Sequence, residues 1–223
     1  MSYYSEKLAA ERLKACYELA TAAVRTYLQA EIHFVTRRVG PDTRVLELGC
    51  GYGRVLRVLI PAAARVAGID TSLASLRMAR DDIVVRRGVW LAAMDAARLA
   101  FRDRSFDLTI CIQNGISAFG VDHASLIAEA SRVTCSGGLV LFSSYSAKFW
   151  TQRLEWFEIQ AAHGLVGEID YAATGDGVIA CKDGFRATTV SPERFRNLTE
   201  SLGLASRIVE VDDSSVFCEI PVP

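Results

Sequence analysis

Several things are missing from this 223-residue chain. Its six cysteines, at 16, 50, 111, 135, 181 and 218, include no CxxC pair and lie mostly in apolar runs. That spacing points to neither a zinc site nor a disulfide framework, so they read as reduced core thiols and no metal is expected. No charge of one sign predominates: 25 Lys and Arg balance 26 Asp and Glu, for a formal net charge of -1. The basic patch of a nucleic-acid binder is absent, which leaves small or neutral partners. No run approaches the roughly 18 apolar residues of a membrane span, and "MSYYSEKLAAERLK" is charged where a signal peptide is apolar. The expectation is a cytoplasmic protein with no membrane partner. No repeat, low-complexity tract or linker interrupts the chain, so residues 1–223 are expected to form one domain.

What is present is alternation. Residues 5–38 place Leu8, Leu13, Tyr17, Ala20, Val24, Tyr27, Leu28, Ile32 and Val35 at three- and four-residue spacing, which predicts one or two amphipathic helices ending at "GPD", 40–42. Short apolar runs then alternate with helical stretches: "RVLEL" and 53–61, "RVAGI" and 72–82, "GVWLA", "FDLTICI" and 122–134, and "GLVLFSSY". Parallel neighbours need a crossover between them, so this order predicts an α/β fold with a mostly parallel sheet. In the last third, residues 146–163 carry Phe149, Arg153, Trp156, Phe157 and Gln160 at helical spacing, as an insertion. Asp183 and Gly184 read as a hairpin turn, Ser191, Pro192 and Gly203 as the cap, first turn and stop of a helix, and "DDSS" as the turn of a terminal hairpin.

The most informative stretch is "VLELGCGYGR", residues 45–54. Gly49, Gly51 and Gly53 at alternate positions after a strand allow a tight turn and let a ligand approach bare backbone, and the following helix is expected to offer its N-terminal amides. Ligands of open parallel sheets bind beyond the carboxyl ends of the strands. A dinucleotide fingerprint, GxGxxG, needs glycine where this chain has Arg54. Glu47, two residues before the first glycine, opposes a pyrophosphate and suits a cation.

"ELGCGYG" resembles motif I of the class I S-adenosylmethionine-dependent methyltransferases, in particular the small-molecule, type-11-like group. Further landmarks follow in order. Asp70 in "VAGIDTS", with Thr71 beside it, stands where the family places an acid on the ribose hydroxyls. "AAMDAARLAF" resembles the segment that puts Asp95 and Ala96 beside the adenine, and "FDLTICIQNGIS" and "IAEASRVTCSGGLVLF" resemble motif IV and the helix and strand after it. The likeness covers roughly residues 42–145. It implies a Rossmann-like, seven-stranded, mostly parallel sheet with a C-terminal antiparallel hairpin. It also implies an N-terminal helical cap over 1–40 and a substrate-side insertion over 146–190. S-adenosylmethionine is the implied cofactor, leaving as S-adenosylhomocysteine, with Glu47, Gly49, Cys50, Gly51, Gly53, Asp70, Thr71, Asp95, Ala96, Gln113 and Asn114 as its binding residues. Two departures stand out: Cys135-Ser136 replaces a basic-proline pair, and Ile112-Gln113-Asn114-Gly115 replaces the NPPY-type tetrad of nucleobase amino methyltransferases. The Pro-Cys nucleophile of cytosine C5 enzymes is lacking too, since Cys111 follows Ile110.

Methyl transfer from a sulfonium is an in-line displacement, which positioning alone can drive, so no catalytic residue is assigned. Gln113 and Asn114 can orient cofactor or substrate, and Asn114 can equally cap a turn before Gly115. Tyr145 can donate to an acceptor or pack at the sheet rim. His33 is a base candidate or a surface residue, while His123 and His163 read as ordinary helix-terminus residues. Arg186 can clamp a carboxylate or, with Lys182, decorate a solvated hairpin. Tyr3 and Tyr4 belong to a lid or a frayed terminus, and Phe149, Trp156 and Phe157 to core packing or a partly apolar acceptor wall. The expected function is methyl transfer to a small-molecule acceptor. The alternatives are a nicotinamide (NAD)-dependent oxidoreductase on a related sheet and a binding protein that keeps the cofactor without turnover.

Overall fold

Short β-branched runs in the first two thirds of the chain pair in parallel because each is followed by a crossover. In a computed structural model that describes Tyr3 and residues 7–83 and 88–223, they are β1 (Arg44–Leu48), β2 (Arg65–Asp70), β3 (Val89–Ala93), β4 (Phe106–Cys111) and β5 (Thr134–Tyr145). The "DDSS" turn sends β8 (Arg207–Val211) back as β9 (Ser215–Pro221), which runs antiparallel to β5. The sheet order is β3-β2-β1-β4-β5-β9-β8. Strands are added to one side of β1 up to β3 and to its other side from β4 on, so the strand order switches between the parallel neighbours β1 and β4, the point at which open sheets leave a crevice.

Alternation along each strand feeds two cores. Leu46 and Leu48 of β1 pack on one face with Leu126, Ala130 and Phe195. Val45 faces the other layer, with Val35, Leu56 and Leu59. The first layer uses helix α6 (His123–Val133), capped by Asp122, and α8 (Pro192–Ser201), where Ser191 caps, Pro192 opens the first turn and Gly203 turns left-handed past the end. The second uses α2 (Ala22–Thr36), the short α3 (Leu56–Leu59) and α4 (Leu73–Asp82). Ahead of α2, α1 (Glu11–Glu18) completes the two expected N-terminal helices.

The chain from 146 to 190 forms a 3-10 turn (Ala147–Phe149), α7 (Trp150–Ala162) and a hairpin whose strands, β6 (Ile179–Ala180) and β7 (Arg186–Ala187), are only two residues each. It packs on the N-terminal helices in two further apolar clusters. Leu8 and Cys16 meet Phe157, Ile169 and Phe185 in one, and Val24, Tyr27 and Leu28 meet Tyr145, Phe149 and Trp156 in the other.

Three expectations need correction. The helix expected over 53–61 shrinks to α3, because Gly51 and Gly53 hold φ of 52° and 83° and keep the chain in turns up to Val55, and Pro61 follows. A one-turn helix, α5 (Gly115–Ala118), follows β4, and the Asn114 side chain, for which capping is one of the two readings, makes no capping bond. Cys135 is not a core thiol: it is half-buried, accepts from Arg44 at 3.1 Å and donates to the Arg104 carbonyl at 2.8 Å. The other five cysteines are buried and free. Among the described residues no helix is long and apolar enough to cross a membrane, and no cluster of three or more His, Cys, Asp or Glu is arranged to hold a metal.

Candidate active site

A cavity of about 420 Å³ opens at the carboxyl ends of β1, β2, β3 and β4 and is roofed by α1 and α7. Its floor begins with the glycine loop. Gly49 and Cys50 donate to the carbonyl of Ile69 at 2.8 and 2.9 Å, which pins the loop to the end of β2. Gly49, Gly51 and Gly53 all lie in the left-handed region, at φ of 74°, 52° and 83°. Their faces differ. A Cβ on Gly49 would meet the Phe119 ring at 2.5 Å, one on Gly51 would meet Leu13 of α1 at 3.1 Å, and one on Gly53 would meet Ile83 at 2.8 Å. Of the expected binding residues, all but Gly53 line the cavity; Gly53 packs against the end of α4.

Charge is distributed unevenly around this space. Asp70 accepts from the backbone of Gly51 at 2.9 Å and of Ser72 at 2.8 Å, one bond to each carboxylate oxygen, so both keep acceptor capacity. Burial raises its pKa while these amides oppose the shift. Asp95 is exposed and accepts from Ala97 at 2.9 Å, beside the buried Ala96. Glu47 is 5% exposed and its Oε2 has no hydrogen-bond partner among the described residues. Burial pushes its pKa up to about 8; the nearby Arg54 charge pulls it down and Asp70 pushes it further up. A buried carboxylate left unpaired is costly, and a cationic group on a ligand would relieve it. The left-handed loop, the bifurcated acceptor Asp70 and the orphaned Glu47 together fit a nucleoside ligand that carries an ammonium group.

The tip of β4 forms the other half of the floor. Gln113 and Asn114 are consecutive left-handed residues, at φ of 57° and 61°, held from below by side chains. Glu31 of α2, fully buried, accepts from the Gln113 backbone N–H at 2.6 Å and from Ser143 and Ser215 at 2.8 and 2.7 Å. Burial pushes Glu31 up to about 7 against the pull of those donors. The Gln113 side chain accepts from Arg54, whose guanidinium lies 4.4 Å from the Tyr17 ring centroid, and leaves its own Nε2 without a partner among the described residues. The Asn114 amide is engaged by protein: it donates to the Thr188 carbonyl at 2.9 Å and accepts from Ser144 at 2.7 Å. It thus ties the segment after β7 to β5.

Residues 45–138, which span the loop, Asp70, Asp95 and the β4 tip, match the family described as Methyltransferase domain. Over these residues the chain is similar to the methyltransferases. It is similar to the demethylmenaquinone methyltransferase of Mycobacterium sp. (strain KMS), 34% identical over 108 residues that cover 48% of this chain and 44% of that one. The match therefore spans less than half the length of that relative. Its fold is that of the PH0226 protein from Pyrococcus horikoshii OT3, with a TM-score of 0.67 at 18% identity, covering 99% of this chain and 98% of that one. It is also that of the N-methyltransferase NodS from Bradyrhizobium japonicum WM9, solved in complex with S-adenosyl-l-homocysteine, with a TM-score of 0.61 at 16% identity, covering 96% and 100%.

Within this family fold, the roof is tied down by specific bonds. Ala10 donates to Ser75 at 2.9 Å, Arg12 to the carbonyls of Gly164 and Leu165 at 2.7 and 2.9 Å, and the Trp156 indole to the Cys16 carbonyl at 2.9 Å. Tyr3 reaches the other hairpin: its hydroxyl donates to Asp183 at 2.6 Å and its ring stands edge-on to Phe185, centroids 4.9 Å apart. Tyr4 lies outside the described residues.

The candidate catalytic side chains separate. Tyr145 lines the cavity, stacked on Tyr27 with centroids 4.9 Å apart, and the buried Arg153 guanidinium lies 4.6 Å from its ring. Burial raises its pKa, which leaves the hydroxyl a donor rather than a base at neutral pH. His33 and Arg186 are exposed and line no part of the cavity. Lys182 pairs with Glu168 at 2.6 Å, and His163 sits at the C-cap of α7 with Nδ1 2.8 Å from the Ile159 carbonyl. Arg54, Glu31, Tyr17 and Gln160 enter or support the site without having been singled out for it. A signal existed for two of them: Glu31 falls on the apolar face between Leu28 and Ile32, and Gln160 on the aromatic stripe of α7.

Proposed function

We propose that this protein is an S-adenosylmethionine-dependent methyltransferase that acts on a small-molecule acceptor. The observation that carries this reading is Glu47: a buried carboxylate whose Oε2 has no hydrogen-bond partner among the described residues, beside a left-handed glycine loop and one strand away from Asp70. When bound, S-adenosylmethionine supplies a methyl carbon activated by the sulfonium. The residues that would hold it are Glu47 for the ammonium, Asp70 for the ribose hydroxyls, and Asp95 with Ala96 for the adenine. Gly49 and Gly51 would let the ligand lie against backbone, and the β4 tip at Gln113 would border the reacting centre. With α1 and α7 excluding water, the chain can hold an acceptor in line with the methyl group, the arrangement from which most of the rate would come. No histidine lines the cavity, and Tyr145 resists ionisation, so the reading assigns no protein base. The near-zero net charge of the chain supports a small-molecule partner over nucleic acid.

Calorimetric titration with S-adenosylmethionine, S-adenosylhomocysteine and NAD tests the cofactor. Micromolar binding of the first two and none of the third is expected. Preference for NAD would leave only the fold, and binding without label transfer to any acceptor in a screen with a methyl-labelled cofactor would leave a binding protein.

A further inference from the structure

The cofactor reading leaves one group in the cavity unexplained. Gln160 of α7 lines the cavity and is 2% exposed, yet its Nε2 has no hydrogen-bond partner among the described residues. An unpaired amide in an apolar setting is unfavourable unless a ligand completes it. Its surroundings are aromatic. Trp156 lies one helical turn before it, fixed by its bond to Cys16, with the Tyr17 ring 5.9 Å away and Phe157 adjoining.

Charge sets the rest of the specificity. The acids that line the cavity, Glu47, Asp70 and Asp95, all stand at the ends of β1, β2 and β3. The end built by β5 and α7 contributes Tyr145, Trp156, Phe157 and Gln160 to the lining and no carboxylate, and the Arg153 guanidinium lies against the Tyr145 ring. An ammonium placed there would lose its hydration with no carboxylate of this end on the lining to pair with it. A hydroxyl both donates and accepts, which matches a primary amide in either orientation.

Resting on the methyltransferase reading, we propose that the β5 and α7 end of the cavity is the acceptor subsite, that it takes a flat, uncharged molecule presenting a hydroxyl, and that Gln160 is the residue that reads this hydroxyl. Charged amines are excluded by the same wall. The aromatic rings supply the apolar contact and Gln160 sets the orientation.

The test uses the full chain saturated with S-adenosylhomocysteine and titrated with matched pairs of increasing size: phenol and benzylamine, then 2-naphthol and 2-naphthylmethylamine. At least one hydroxyarene is expected to bind, and at least tenfold tighter than its amine. Gln160→Leu is expected to weaken that hydroxyarene severalfold, leave S-adenosylhomocysteine affinity unchanged, and keep or raise the Tm of the free protein, because it removes a buried Nε2 with no partner among the described residues. A lower Tm with unaltered hydroxyarene binding would make Gln160 structural and overturn its role. Amines binding as well as the hydroxyarenes, or no hydroxyarene binding to the saturated protein, would overturn the subsite. Failure of S-adenosylhomocysteine itself to bind the wild type would instead reject the methyltransferase reading.

Discussion

The backbone N–H of Gln113 lies 2.6 Å from Oε2 of Glu31, so the tip of β4 is hung from a carboxylate buried in α2. The same carboxylate takes the hydroxyls of Ser143 and Ser215, and no basic side chain joins them in these bonds. Two left-handed residues in a row are strained, and such strain persists only where surroundings over-determine it.

Glu31→Ala is expected to destabilise the protein by about 2–4 kcal/mol, since it empties a buried volume and strands three donors. Glu31→Gln keeps an acceptor for Gln113 and is expected to lose less than half as much. Urea unfolding of both variants checks this, and equal losses would show that volume rather than the bond to Gln113 matters.

Glu47 gives a pH signature. Its pKa rises on folding from 4.5 to about 8, so the fold favours the protonated acid. Its contribution to stability is therefore complete below the ordinary carboxylate range and is lost as pH rises through about 8. Glu47→Gln removes that loss. In ligand-free protein the variant is expected to match the wild type near pH 5 and to exceed it near pH 9 by about 1–3 kcal/mol. Glu31 loses stability in the same direction in both proteins and cancels in the comparison. The variant is also expected to bind S-adenosylmethionine at least about tenfold more weakly, because the ammonium loses its partner. Melting curves at the two pH values and a titration decide both points.

Asp70→Ala is expected to weaken S-adenosylhomocysteine binding by at least about 1 kcal/mol through the lost ribose acceptor. It should also lower stability, because the amides of Gly51 and Ser72 lose their partner. Asp70→Asn keeps one acceptor oxygen and separates the two effects. Calorimetry on both variants is the check, and unchanged affinity in both rejects Asp70 as a ribose ligand.

For Gly51→Val, the φ of 52° and the Leu13 side chain 3.1 Å from an added Cβ combine. A β-branched residue in that conformation costs about 1–2 kcal/mol before any clash. A lower Tm and no detectable cofactor binding are expected, and normal binding would show that the ligand does not pass over this loop.

Much of this was legible in the sequence because it depends on local chemistry. The strands follow from β-branched runs, α8 from Ser191, Pro192 and Gly203, both hairpins from their turn residues, and the cavity lining at the ends of β1 and β2 from Gly49, Gly51, Glu47 and Asp70. The failures are tertiary. The stretch 53–61 has helical composition, but its first residues are bound to loop geometry, so only Leu56–Leu59 coils. His33 and Arg186 have suitable chemistry and face solvent. Glu31, Arg54 and Gln160 matter through partners 82, 59 or more residues away or through the lack of one, which spacing along one helix does not encode.

The roof also fixes an order of events. Arg12 bonds to residues 152 and 153 positions later, and Tyr3 to one 180 positions later. During synthesis the first helix emerges long before its seat exists, and contacts of such sequence separation form late. The parallel strands β1–β5 can therefore pair around an open crevice, and the contact of Tyr3 with Asp183 forms only once the chain has been made to that point. A chain cut short before that point would keep the glycine loop and Asp70 but leave the crevice without its roof contact to Tyr3, which makes closure a late sign that synthesis has passed residue 183.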